Sequence, residues 1–146
     1  MDRAYRQHNA HDRERLRHIA VTADDDMLRR RIDADWTVAA ALAHLAFWDR
    51  WVTARWDQYD RDGAIQGLAD GIIDLANAAG LPEWLALPPH MAADLALEAA
   101  EAVDRRIEGL AAEAVAHALA TDRPAMVDRS LHRGPHLDQI ERVLAE

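Results

Sequence analysis

The chain has 146 residues, with 17 basic side chains against 26 acidic ones, a formal net charge of −9 and no cysteine. A single domain of this length, 1–146, buries a core without covalent staples, and the acidic balance argues against a nucleic-acid surface, which needs a clustered basic excess. The missing thiol excludes disulfides, thiolate metal ligands and an internal thiol nucleophile, and the basic residues are all arginine, which leaves no lysine for Schiff-base chemistry.

Alanine, leucine and arginine are plentiful and runs of Val, Ile and Thr are absent, so an all-α chain is expected. The N-terminal stretch is charged without an apolar core, and no window approaches the ~20 apolar residues of a membrane span. A cytoplasmic protein is the expectation.

The first helix is predicted from about Asn9 to Val21 on Leu16, Ile19 and Ala20. His8, His11, Arg15 and His18 share another face of it, and their charged neighbours mark that face as solvated rather than metal-binding. Thr22-Ala-Asp-Asp-Asp supplies a cap with acids at a helix start, followed by a short turn of helix through Ile32.

The second long helix is predicted from Thr37, its N-cap, to about Tyr59, closed by Gly63. Val38, Leu42, Leu45, Val52 and Trp56 recur at helical spacing, and Trp48 and Trp51 widen that face on the side of His44. A weak helix around Ile72 to Gly80 follows. The segment from Leu81 to Pro89 holds three prolines and reads as an irregular crossover anchored by Trp84. A third long helix is expected from Pro89 to about Ala120, and a last one from about Met126 to Ala145. Together these give a four-helix bundle with a long crossover between the second and third principal helices.

In the last helix His132 and His136 are four apart, so they stand on one face, the spacing that lets two imidazoles meet one metal. That face continues to Ile140 and Val143, so the pair points into the bundle. With His44 on the apolar face of another helix, three neutral nitrogen donors can converge and leave coordination positions open. Pro135 lies between the two histidines, where it removes the amide bond to Leu131; either the helix kinks there, or it restarts at Pro135 with His132 in the preceding turn. His117 and His90 are reserve candidates with structural or solvated roles as the simpler reading. Asp49 and the single serine, Ser130, are candidate acid/base groups, read more simply as surface or interhelix contacts.

The run from Trp36 to Asp49 (WTVAAALAHLAFWD), the segment from Asp74 to Trp84 (DLANAAGLPEW) and the closing stretch from Ser130 to Glu141 (SLHRGPHLDQIE) resemble the DinB-like superfamily, in particular the branch similar to the N-terminal domain of mycothiol-dependent maleylpyruvate isomerase. The resemblance covers nearly the whole chain. It implies a four-helix bundle, often a homodimer, with a divalent metal held by His44, His132 and His136. It also implies a thiol-dependent transferase or isomerase, in which a low-molecular-weight thiol such as mycothiol or bacillithiol is presented to an electrophilic substrate. Imidazole ligands suit zinc, nickel and iron alike. A metal-dependent hydrolase and a non-catalytic ligand-binding bundle are the alternatives. The aromatic surplus from Phe47 to Trp56 adds to the expectation of a homodimer.

Overall fold

The structure is a computed structural model that describes residues 3–146. It is all-helical: α1 Ala4–Thr22, α2 Asp25–Leu28, α3 Val38–Asp62, α4 Ile72–Ala86, α5 Pro89–Glu108, α6 Ala112–Ala120 and α7 Ser130–Leu144, with a 3₁₀ turn at Pro124–Met126. α3 packs on α5 and α7, and α1 packs on the same two helices, so α1, α3, α5 and α7 close a four-membered ring. Among the described residues, no helix is long and apolar enough to cross a membrane.

The start and stop signals of α3 work as read. The Thr37 hydroxyl accepts the Ala40 amide at 3.1 Å, and Gly63 adopts the left-handed conformation, φ 75°, to donate to Tyr59. Val38, Leu42, Leu45, Val52 and Trp56 are all buried. Alanines 39, 40 and 43 of α3 meet alanines 92, 93, 96 and 100 of α5 in one core, where side chains this small let two helix backbones approach closely. A second core surrounds Trp56, Val103, Ile107, Val115 and Met126. Trp56 is fully buried and donates its Nε1–H to the Met126 carbonyl at 2.9 Å, tying α3 to the chain just ahead of α7.

Several boundaries differ from expectation. α1 starts at Ala4 rather than Asn9, because its first turns are also core: Tyr5, Asn9 and Asp12 are buried. The third long helix breaks at Gly109, a poor helix former, and α6 turns away to seat Ala114, Val115 and Ala118 in the second core. The last helix begins at Ser130, not Met126, since Asp128 accepts the Ser130 amide at 3.1 Å after the 3₁₀ turn.

The crossover needs the largest correction. Helix α4 runs through Pro82 to Ala86, and the other two prolines stand at the boundary to α5, Pro88 as its N-cap and Pro89 as its first residue. Pro82 removes only the amide bond to the carbonyl of Ala78, and both residues are exposed. Gly80 is no stop signal. A Cβ there would stand 2.4 Å from the Trp84 ring, so the glycine is the gap into which the indole folds back.

Candidate metal centre

Two polar devices fix the beginning of α7, and with it two of the three histidines. The Asn9 amide of α1 donates to the Val127 carbonyl at 2.9 Å and accepts the Arg129 amide at 2.8 Å. Arg133, fully buried, reaches Asp49 of α3 through Nε at 2.9 Å and Asp104 of α5 through both terminal nitrogens at 2.9 and 3.1 Å. Arg129 adds a bond to the other Asp49 oxygen at 2.8 Å. Buried carboxylates and guanidiniums matched this fully set the rotation of α7 against α3 and α5.

That rotation turns His132 and His136 toward His44. The helix runs unbroken from Ser130 with Pro135 inside it, so His132 lies in the first turn. Leu131, whose carbonyl loses the proline's missing donor, is 53% exposed. The ring centroids stand 5.1 Å (His44–His132), 4.8 Å (His44–His136) and 5.0 Å (His132–His136) apart, an almost equilateral triangle. A point near its middle lies about 3 Å from each ring, the separation that an ion bonded at about 2.0–2.1 Å to a ring nitrogen keeps from that ring's centre. One ligand atom from each histidine falls within 4.8 Å of the other two, and the Nε2 atoms of His44 and His132 are 3.1 Å apart. The three residues therefore fit a shared divalent ion.

The electrostatics favour the same use. Burial pushes His44 down to about 4, with the charge His136 would carry as the next cause. It pushes His132 down to about 2, helped by the Arg129 guanidinium, and it lowers His136 as well. All three are neutral at pH 7, the form that ligates. Trp36 and Trp84 each turn an edge or face to His44 at 5.4 Å. Asn77 of α4 also lies beside it, but its oxygen accepts Trp48 Nε1–H at 2.7 Å, and His44 Nδ1 is left buried without a partner. Arg129 Nη2 stands 3.5 Å from His132 Nδ1, at the limit of hydrogen bonding, so it acts on that ring chiefly through its charge.

No family model, curated protein or solved structure matches this chain.

The triad opens onto a cavity of about 690 Å³ whose walls include Trp48, Trp51 and Ile73, a volume suited to a small organic molecule. Asp33 also lines it, but its carboxylate is engaged by the Asp35 and Trp36 amides, each at 2.8 Å.

The other candidates stand elsewhere. His117 accepts the Ile65 amide at 3.2 Å and packs on Tyr59; His90 pairs with Asp25 at the surface. His11 and His18 are exposed, and His8 is exposed and bonds Asp128 at 3.0 Å. Ser130 donates its hydroxyl to Asp128 within a local turn. Asp49, read as a surface or interhelix contact, is interhelix and fully buried.

Sequence reasoning missed Arg129, Arg133 and Asp104. A signal was present: Asp49 falls between Leu45 and Val52, and Asp104 between Ala100 and Ile107, each inside an apolar stripe where only a paired carboxylate is tolerated.

Proposed function

We propose that this protein is a divalent-metal-dependent enzyme of the DinB-like type, which presents an external low-molecular-weight thiol to an electrophilic substrate for transfer or isomerisation. The observation that carries the reading is the convergence of three neutral imidazoles at a tryptophan-walled cavity in a chain without cysteine. When bound, a zinc, nickel or iron(II) ion there supplies a Lewis acid that lowers the pKa of a thiol or a water. His44, His132 and His136 would hold that ion, while Trp36 and Trp84 pack on the His44 ring. Trp48 and Trp51 give the incoming molecule an apolar wall.

Hydrolysis is the second reading. Thiol transfer is placed first on the DinB-like resemblance of the sequence, since an ion on three imidazoles would lower the pKa of a water as readily as that of a thiol. The test is zinc-loaded and nickel-loaded protein assayed with mycothiol or bacillithiol against a chloronitroaromatic electrophile, in parallel with hydrolysis of generic esters. The account expects thiol conjugation that is lost in His44→Ala; ester hydrolysis without thiol dependence would favour the second reading.

Self-association belongs to the same proposal, with a changed basis. Phe47 packs on Trp48, Trp51 and Trp84 inside one chain, so the aromatic surplus is absorbed. Helix α4 carries three exposed large apolar residues, Ile73, Leu75 and Leu85, and offers the contact instead. Sedimentation at micromolar concentration should show a species near twice 16.4 kDa.

A further inference from the structure

The cavity wall contributed by α3 is one helical face: His44, Trp48, Trp51, Val52 and Arg55 follow at i, i+4, i+7, i+8 and i+11, so Arg55 stands about 16 Å along the helix from His44. Arg123, from the loop between α6 and the 3₁₀ turn, lines the same cavity. Both guanidiniums are half-buried, yet neither forms an ion pair among the described residues. Arg55 donates to the Gln66 carbonyl and Arg123 to the Thr121 carbonyl at 3.2 Å, with Arg123 Nη2 lying against Gly67.

Of the other charged groups in the wall, two are committed and one is exposed. Arg129 is held by Asp49, Asp33 by backbone amides, and Asp122 is exposed and ion-pairs with neither arginine. The two cations also repel: burial first, and the charge of Arg123 second, push Arg55 below its ordinary value. Elsewhere in this chain the fully buried arginines are matched to carboxylates, as Arg133 is to Asp49 and Asp104, whereas the half-buried Arg6 and Arg30 end on backbone carbonyls away from this cavity. Two unmatched guanidiniums in a cavity wall are the arrangement that an oxyanion from outside completes.

We propose that Arg55 and Arg123 form an anion subsite, and that the cavity takes a small organic carboxylate whose apolar body lies along Trp48 and Trp51. This deepens the functional reading above, since it names the substrate's charged end, but the subsite itself does not depend on metal.

The test therefore uses metal-free protein and no thiol. Hexanoate and 1-hexanol, which share an apolar chain and differ in charge, are titrated by calorimetry and by quenching of tryptophan fluorescence. Wild type should bind hexanoate more tightly than hexanol. Arg55→Met and Arg123→Met should each weaken hexanoate about tenfold or more, the scale of a charge-assisted bond, and leave hexanol unchanged. Arg123→Lys, which keeps the charge without the fork, should retain part of the preference, and circular dichroism checks each variant's fold. His44→Ala should keep the full preference, so failure of the metal reading leaves this result standing. Equal binding of the two ligands by wild type, no measurable hexanoate binding, or a preference that survives both methionine variants would overturn the proposal.

Discussion

Helix α7 and its N-cap residue, Arg129, carry two i, i+4 pairs side by side, and their surroundings differ in one respect. Arg129 and Arg133 turn toward Asp49 and Asp104 and find every charge answered within the chain. His132 and His136 turn toward His44, where three uncharged rings converge and one buried nitrogen has no hydrogen-bond partner. The first pair is closed and holds the helix in place. The second is open, and burial keeps it in the protonation state that accepts a cation. A closed polar network contributes position, while an open one beside it keeps a capacity to bind.

The sharpest way to break the comparison is to open the closed side. Asp49→Ala leaves the buried Arg129 guanidinium without a carboxylate and Arg133 with Asp104 alone, and leaving a buried charge unpaired costs about 3–5 kcal/mol. Denaturant unfolding should show that loss, and because Asp49 sets the rotation of α7, metal affinity should fall with it. His136→Ala, on the open side, should alter unfolding far less while affecting metal binding directly.

A smaller effect should come from Gly80→Ala. The added methyl would press on the Trp84 ring, and overpacking of this kind costs about 1–3 kcal/mol. Since Trp84 packs on His44 at 5.4 Å, the thermal midpoint should drop and the tryptophan emission should shift.

The acid response of the metal-free protein probes the open side by pH alone. Histidines held below their ordinary value of about 6.5 bind fewer protons folded than unfolded, so stability is full above that pH and falls as pH drops toward the lowered values, about 4 for His44 and about 2 for His132. Thermal melts in chelator from pH 7.5 to 4.5 should show the decline, with helicity intact at pH 7.5, and His132→Ala should flatten it. A flat profile in the wild type would show that the rings titrate normally.

The bundle was legible from apolar periodicity and from local signals such as Thr37 and Gly63, which act over one turn. So were His44, His132 and His136, because i, i+4 spacing and an apolar face fix direction without knowledge of neighbours. Arg133 and Asp104 were not, since charged residues usually face solvent and only the assembled ring of helices shows that these two face each other. The crossover was misread because proline and glycine carry no record of what packs against them: Pro82 is tolerated where it is exposed, and Gly80 is needed where an indole folds over it. Arg55 and Arg123 were hidden for a related reason, as their missing partners become visible only once the cavity is formed.

The central claim is that the open face binds one divalent ion through three histidines. Its most direct test is elemental analysis with zinc titration of the wild type and of the His44→Ala, His132→Ala and His136→Ala variants, beside His11→Ala and His18→Ala as exposed controls. The account predicts one equivalent for wild type and for both controls, with affinity lowered about a hundredfold or more in each triad variant and falling for wild type as pH drops through about 6.5. A full equivalent with unaltered affinity in His44→Ala would contradict it.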